Sequence, residues 1–365
     1  MKKNILIVVG TRPNFVKITQ FKKVAQKYSD LDVRIVHTGQ HYDEKMSAIF
    51  LKQFNIEVDY FLGITSTSAN SLIGEIILQL EKVITEFSPD ILLCVGDVNS
   101  TLAAAICANK LGVKLGHIES GLRSLDRQMP EEINRILTDE ISDICFVTEK
   151  SGLKNLEKIG KKGHQIAFVG NTMIDTLVAF NKEIEASTIL EEIAQEKHQY
   201  ILVTMHRPRN VDTKKALLKI IDLFKNTTQK HHVVFSIHPR TKNSFINFNL
   251  NQSLNEINNL TIIDPQNYFA FQKLIKYSFC VITDSGGIQE ETTFLQIPCI
   301  TLRENTERPS TIEQGTNELM SFDTDKISAT IQSISEGTFK KGTIPEFWDG
   351  NATDRILQKT IEFLA

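Results

Sequence analysis

The chain has 365 residues and a formal charge of -3, from 41 Lys plus Arg against 44 Asp plus Glu. That length exceeds the usual single core and predicts two domains, while so balanced a charge excludes a protein built to wrap a polyanion or lie on anionic lipid. Neither a nucleic-acid nor a membrane partner is expected.

At the amino terminus, Met1-Lys2-Lys3 leads straight into the short apolar run Ile5–Val9 and a glycine, a strand pattern without the longer apolar core of a signal peptide. No apolar run nears the roughly 20 residues that span a bilayer, so a cytoplasmic location is expected. Short β-branched runs recur at Val33–Val36, Ile91–Val95, Leu115–Ile118 and Ile144–Val147, alternating with helical periodicity over Val16–Tyr28, Leu72–Phe87 and Thr101–Leu111. This alternation predicts βαβ units around a parallel sheet. Thr172–Glu196 has helical composition and no strand pattern, which places a boundary near Gly170-Asn171. The rhythm then restarts with strands at Ile201–Val203, Val233–Ile237, Thr261–Ile263, Cys280–Ile282 and Cys299–Leu302, and helices at Lys214–Phe224, Phe269–Tyr277 and Ile288–Leu295. Thr353–Leu364 predicts a terminal amphipathic helix. The fold class is therefore α/β with two Rossmann-like domains, residues 1–170 and 171–350, and a closing helix at 351–365. Cys94, Cys107, Cys145, Cys280 and Cys299 lack C-x-x-C spacing and stand in or beside apolar stretches, which predicts buried, reduced thiols.

Open parallel sheets bind ligands beyond the carboxyl ends of their strands, where helix N-termini point free amides into the crevice. In the first half the strands run into Gly10-Thr11-Arg12-Pro13, Gly96-Asp97-Val98-Asn99 and Glu119-Ser120-Gly121. In the second they run into His206-Arg207, His238-Pro239-Arg240 and Asp284-Ser285-Gly286-Gly287. Asp97 and Asn99 also suit a helix cap, Glu131 and Glu132 after Pro130 suit the positive end of a helix, and His206 and His238 suit ordinary loop positions. His37 and His41 lack a third ligand, so no metal is expected. The sharpest signal is Asp284-Ser285-Gly286-Gly287-Ile288-Gln289-Glu290-Glu291. Two glycines at a strand-to-helix turn let backbone amides close on an anion, which reads as a diphosphate seat, with Glu291 placed to accept from ribose hydroxyls. G-x-G-x-x-G is absent after the first strand, which disfavours a nicotinamide cofactor; no cofactor is expected.

At these residues the chain resembles the non-hydrolysing UDP-N-acetylglucosamine 2-epimerases over essentially its full length. The motifs are Gly10-Thr11-Arg12-Pro13 with Lys17, Gly96-Asp97, His117 to Arg123, Pro130 to Arg135, Gly170-Asn171-Thr172, His206-Arg207, Asp264-Pro265-Gln266, Asp284 to Glu291 and Thr306-Glu307-Arg308-Pro309. The resemblance implies a GT-B-like pair of Rossmann-like domains whose parallel sheets face a cleft, a terminal helix crossing back to the first domain, and a homodimer. By motif position it implies catalytic roles for Lys17, Asp97, Glu119, Glu131 and His206. A UDP-sugar substrate would be held by Arg12, Gln266, Phe271, Ser285, Gly286, Gly287, Glu291 and Arg308, with His206 also reaching UDP. The implied activity is isomerase chemistry at C2 of UDP-N-acetylglucosamine by elimination and re-addition of UDP. Two features depart from the pattern: a short segment between Glu119 and Pro130, and the run His37 to Asp43, which resembles relatives acting on UDP-2,3-diacetamido-glucuronate. That sugar is the alternative substrate, and a GT-B glycosyltransferase the alternative activity.

Overall fold

The computed structural model describes residues 2–39 and 50–365. Gln40, His41, Tyr42, Asp43 and the side chain of Arg12 lie outside the described residues. The chain forms two compact units, Met1–Ala179 with Glu346–Ala365, and Phe180–Pro345.

Among the described residues the first unit carries β1 (Lys3–Val9), β2 (Leu31–His37), β3 (Tyr60–Phe61), β4 (Ile91–Val95), β5 (Lys114–Ser120), β6 (Ile144–Val147) and β7 (Ile166–Phe168). They pair in parallel in the order β3-β2-β1-β4-β5-β6-β7. Alternate residues of β1 feed two core layers, as strand period demands. Ile5, Ile7 and Val9 pack with Ile356 and Leu357 of the terminal helix Ala352–Phe363, whereas Leu6 and Val8 pack with Leu80, Val83 and Phe87 of the helix Ala69–Phe87. The latter helix buries Leu72, Ile76, Leu80, Val83, Ile84 and Phe87 at helical spacing, and Ser68 caps it by accepting from the Ser71 amide at 3.3 Å.

The second unit carries β8 (Tyr200–Thr204), β9 (His232–Ser236), β10 (Leu260–Ile263), β11 (Cys280–Thr283), β12 (Cys299–Leu302) and β13 (Asn317–Met320), all parallel, in the order β10-β9-β8-β11-β12-β13. Strands such as β11 are buried on both faces, which is why they read as unbroken apolar runs. In each sheet the order reverses once, between β1 and β4 in the first and between β8 and β11 in the second. Those two switch points fix where each unit presents its polar residues.

The structure departs from the expected outline in three respects. The single helix expected over Val16–Tyr28 is two, Arg12–Ile18 and Phe21–Ala25, and it starts early because Pro13 stands in the first helical turn behind Thr11 as N-cap. The unit boundary falls after Ala179 rather than near Gly170-Asn171, because the helix Thr172–Ala179 is tied to the first unit. Its Thr176 hydroxyl donates to the Val16 carbonyl, and Asp175 accepts from the amides of Ala352 at 3.0 Å and Thr353 at 2.6 Å, capping the terminal helix. The short strands β3, β7 and β13 escaped the periodic reading. All five cysteines are buried and free, and burial pushes the Cys145 thiol up to about 12.

Candidate active site

In the first unit the switch between β1 and β4 is stitched by Asn14. Its amide oxygen accepts from the backbone of Gly10 at 3.3 Å and Thr11 at 3.1 Å, and its amide nitrogen donates to the Val95 carbonyl at 3.0 Å. Gly10 must be glycine, since a Cβ there would lie 2.1 Å from the Ser100 hydroxyl oxygen. Gly96 takes φ 72°, in the left-handed region, and a Cβ on it would stand 3.3 Å from Lys17 Nζ. Gly96 thus leaves the space that Lys17 Nζ occupies at the end of β4.

Lys17 pairs with Glu119, and the two side chains are only 7% and 4% exposed. Glu119 is held at φ 70° where β5 bulges against β6, the register shifting between Ile118 and Ser120. A bulge re-aims one side chain, and a non-glycine residue in this conformation stores on the order of 1 kcal/mol or more of strain. Asp97 is part-exposed and pairs with Arg135 at 2.5 Å. Arg135 also binds Glu132 at 2.6 Å, and Glu132 accepts from the amides of Ser124 at 2.9 Å and Leu125 at 3.2 Å. Asn134 donates to the Asp97 carbonyl at 2.9 Å. Asp97 and Glu119 therefore each have a cation of their own, Arg135 and Lys17. The helix Pro130–Ile141 turns Glu132 inward and leaves Glu131 exposed in its first turn. Arg135 and Asn134 went unassigned in the sequence; the three-residue step from Glu132 to Arg135 on one helix face was the available signal.

In the second unit Asp284, fully buried, closes β11. It accepts from the amides of His206 at 3.1 Å and Arg207 at 2.9 Å, from Asn210 at 3.0 Å, and from His206 Nδ1 at 3.0 Å. Burial works to raise its pKa, but these donors hold it below the usual carboxylate range. Because Nδ1 donates to Asp284, Nε2 is the ring nitrogen of the part-exposed His206 that this pairing leaves for another partner. The ring lies 5.3 Å from that of His238.

Ser285 stands as N-cap of the helix Gly286–Leu295, with Gly286 and Gly287 in its first turn. A Cβ on Gly286 would approach both Arg308 Nη1 and Glu307 Oε1 at 3.1 Å. Arg308 is locked there by Glu307 and by Glu290 at 2.8 Å, and Arg303 binds the other oxygen of Glu307 at 2.9 Å. Glu291 is buried, and that burial, reinforced by Glu290 and opposed by a hydrogen bond from Gln272, pushes its pKa up to about 8. Gln266 donates to the Asp264 carbonyl at 2.8 Å, and the half-buried Phe271 packs on the core beside Ala270 and Leu274. Gln266 follows β10, the Ser285 turn follows β11 and Arg308 follows β12, each past the carboxyl end of its strand, while Phe271 and Glu291 stand on the helices that come after β10 and β11.

A family model described as UDP-N-acetylglucosamine 2-epimerase matches residues 23–361. The UDP-N-acetylglucosamine 2-epimerase of Methanococcus maripaludis is 38% identical over 353 residues, covering 95% of this chain and 95% of that one. The UDP-2,3-diacetamido-2,3-dideoxy-D-glucuronate 2-epimerase of Pseudomonas aeruginosa is 38% identical over 360 residues, covering 97% of this chain and 98% of that one. Among solved structures, the Methanocaldococcus jannaschii UDP-GlcNAc 2-epimerase in complex with UDP-GlcNAc and UDP has a TM-score of 0.86 at 37% identity, covering 98% of this chain and 99% of that one.

Proposed function

The chain belongs to the UDP-N-acetylglucosamine 2-epimerase family, and from that membership we propose that it inverts C2 of UDP-N-acetylglucosamine to the manno epimer without hydrolysing the nucleotide sugar. C2 of a hexosamine has no neighbouring carbonyl, so its proton is poorly acidic and the leaving group has to help. A carboxylate takes the C2 proton as the C1–O bond breaks, its electron pair leaving on the UDP oxygen, and C1 and C2 become a glycal double bond. UDP then re-adds at C1 while C2 is protonated on its other face. Inversion needs acid–base groups on both faces, and Asp97, Glu119 and Glu131 fill that role in this reading. Lys17, Arg12 and His206 offset charge on the departing diphosphate, and Asp284 fixes the His206 tautomer. The Ser285-Gly286-Gly287 turn seats the diphosphate with Arg308, Glu291 accepts from the ribose, and Gln266 and Phe271 hold the uracil.

The observation that carries the reading is the pair of separately countered carboxylates, Asp97 with Arg135 just past β4 and Glu119 with Lys17 at the bulged carboxyl end of β5. The test is NMR of UDP-N-acetylglucosamine in heavy water with a chelator and no added NAD. The manno epimer should appear with deuterium at C2 and no free N-acetylmannosamine; turnover without C2 label sinks the elimination mechanism.

A second substrate, UDP-2,3-diacetamido-glucuronate, is favoured by the Pseudomonas relative, whose identity equals that of the Methanococcus one. Running both sugars in the same assay and comparing kcat/KM decides between them. The reading also takes in a homodimer and a cytoplasmic location, the first tested by light scattering of the purified protein. Among the described residues no helix is long and apolar enough to cross a membrane.

A further inference from the structure

His117 is wholly buried on β5, two residues before Glu119, and the acid–base reading gives it no task. Its Nε2 stands 2.7 Å from the carbonyl oxygen of Gly96, and its Nδ1 stands 2.6 Å from Oδ1 of Asp139. A carbonyl oxygen only accepts, so Nε2 carries a proton. Asp139 is an acceptor throughout: its second oxygen accepts hydrogen bonds from Arg123 Nη1 at 2.6 Å and from the Gly121 amide at 3.1 Å. Burial works to raise its pKa, but His117 and Arg123 hold it below the usual carboxylate range. Nδ1 therefore donates as well. A ring with one proton would set a lone pair against a lone pair where both side chains are fully buried, leaving an acceptor unsatisfied out of contact with solvent.

The hydrogen bonds of Gly96 show what the Nε2 proton does, while the Nδ1 proton fixes the ring on Asp139. The Gly96 amide donates to the Ile118 carbonyl at 3.0 Å, and its carbonyl accepts from His117. Both polar groups of this left-handed residue are thus spent on consecutive residues of β5. Asp97 follows Gly96 directly, and Glu119 follows Ile118 directly at the bulge. The backbone bond from the Gly96 amide to the Ile118 carbonyl links the residues beside the two carboxylates directly, and the His117 ring adds a second tie from β5 to the Gly96 carbonyl, the group that leads into Asp97.

We infer that His117 is a doubly protonated imidazolium serving as a positioning residue, which pins the Asp97 turn to the strand carrying Glu119. The inference rests on the reading of Asp97 and Glu119 as the acid–base groups. His117 is not itself a catalytic residue, because it is buried from solvent and both its protons are committed. The charged and titratable groups around the pair are Arg123 from the loop after β5, Asp139 from the helix Pro130–Ile141, and the thiols of Cys94 on β4 and Cys145 on β6.

The variant His117→Gln offers one amide donor and turns an oxygen toward one of the two acceptors. Its kcat for epimerisation should fall about 100-fold, the scale of a misplaced reacting group, with KM changed by less than about threefold. UDP affinity, carried in this reading mainly by the Ser285 turn, Arg308 and Glu291 of the second unit, and Trp348 emission from the first should both match wild type. Independently, long-range proton–nitrogen spectra of the wild-type enzyme should show protons on both His117 ring nitrogens at the assay pH. A folded His117→Gln enzyme with wild-type kcat overturns the inference, and so does a wild-type ring spectrum with one protonated nitrogen, which decides the matter even where the variant does not fold. If Asp97→Asn and Glu119→Gln keep their turnover, the acid–base reading falls and this role with it. If they lose turnover and His117→Gln does not, only the positioning role falls.

Discussion

Glu119 pays for its position in backbone strain, and its carboxylate is held inside by Lys17. Its neutral amide, Glu119→Gln, removes the proposed acid–base group but also leaves a buried ammonium without its counter-charge, an outcome that costs about 3–5 kcal/mol where a buried pair is broken. Asp97→Asn is milder because Asp97 is part-exposed and Asn still accepts from Arg135. Turnover should drop at least about 100-fold in both, but only Glu119→Gln should also lose several degrees of melting temperature. Steady-state rates beside a melting curve separate the two effects, and full turnover in either variant returns that residue to a capping or structural role. Asp97 and Glu119 were legible in the chain because each follows an apolar strand run at the end where parallel sheets collect ligands. Arg135, Asp139 and His117 were not. Their importance lies in pairings such as Arg135 with Asp97, made across distant segments inside the fold, and a local pattern carries no record of them.

The terminal helix Ala352–Phe363 shows the same limit at the level of an element. Its apolar spacing was readable, since Ile356, Leu357 and Thr360 are all buried, but the device that anchors it is not local. Asp175, on the helix Thr172–Ala179, accepts from its first two amides, and Gly170 makes room for the returning chain, a Cβ there lying 2.0 Å from the Phe347 carbonyl oxygen. Trp348, the single tryptophan of the chain, is buried beside this junction and donates from its indole to the Thr148 carbonyl at 2.9 Å. Asp175→Ala strips both acceptors and should cost about 1–2 kcal/mol, the worth of a lost N-cap. Tryptophan emission followed through a urea titration reports it directly. The midpoint should fall with the slope unchanged, and an unaltered midpoint removes the capping role. Strands such as β4 and β12 were readable to the residue because they are buried on both faces, whereas β3, with Tyr60 and Phe61 at the sheet edge, has too few residues and too much exposure to leave a pattern.

Across the whole molecule, buried carboxylates pull stability in opposite directions as pH changes. Asp139 and Asp284 are held low in the folded state, so each contributes stability that is present above the ordinary aspartate pKa and lost as acid protonates the folded form. Glu291 and Asp175 are raised, chiefly by burial. The folded state then binds a proton that the unfolded chain releases, so their contribution is fully present below the unfolded pKa and declines as pH rises. For Glu291 the decline runs from the ordinary glutamate value of 4.5 to about 8. Stability should therefore pass through a maximum between the two regimes, with Glu291 shaping the alkaline side. Glu291→Gln keeps the shape, keeps an acceptor for Gln272 and removes the titration. In urea titrations at a series of pH values, the variant's midpoint relative to wild type should rise steadily from pH 5 to pH 8 and level off above it. A difference that stays constant across that range shows that Glu291 is ionised in the folded enzyme, with a counter-charge that its burial beside Glu290 does not reveal. UDP titrations at pH 7 complete the argument. If the ribose accepts Glu291 as a hydrogen-bond partner, Glu291→Ala should weaken UDP binding and Glu291→Gln, which retains the carbonyl acceptor, should weaken it less.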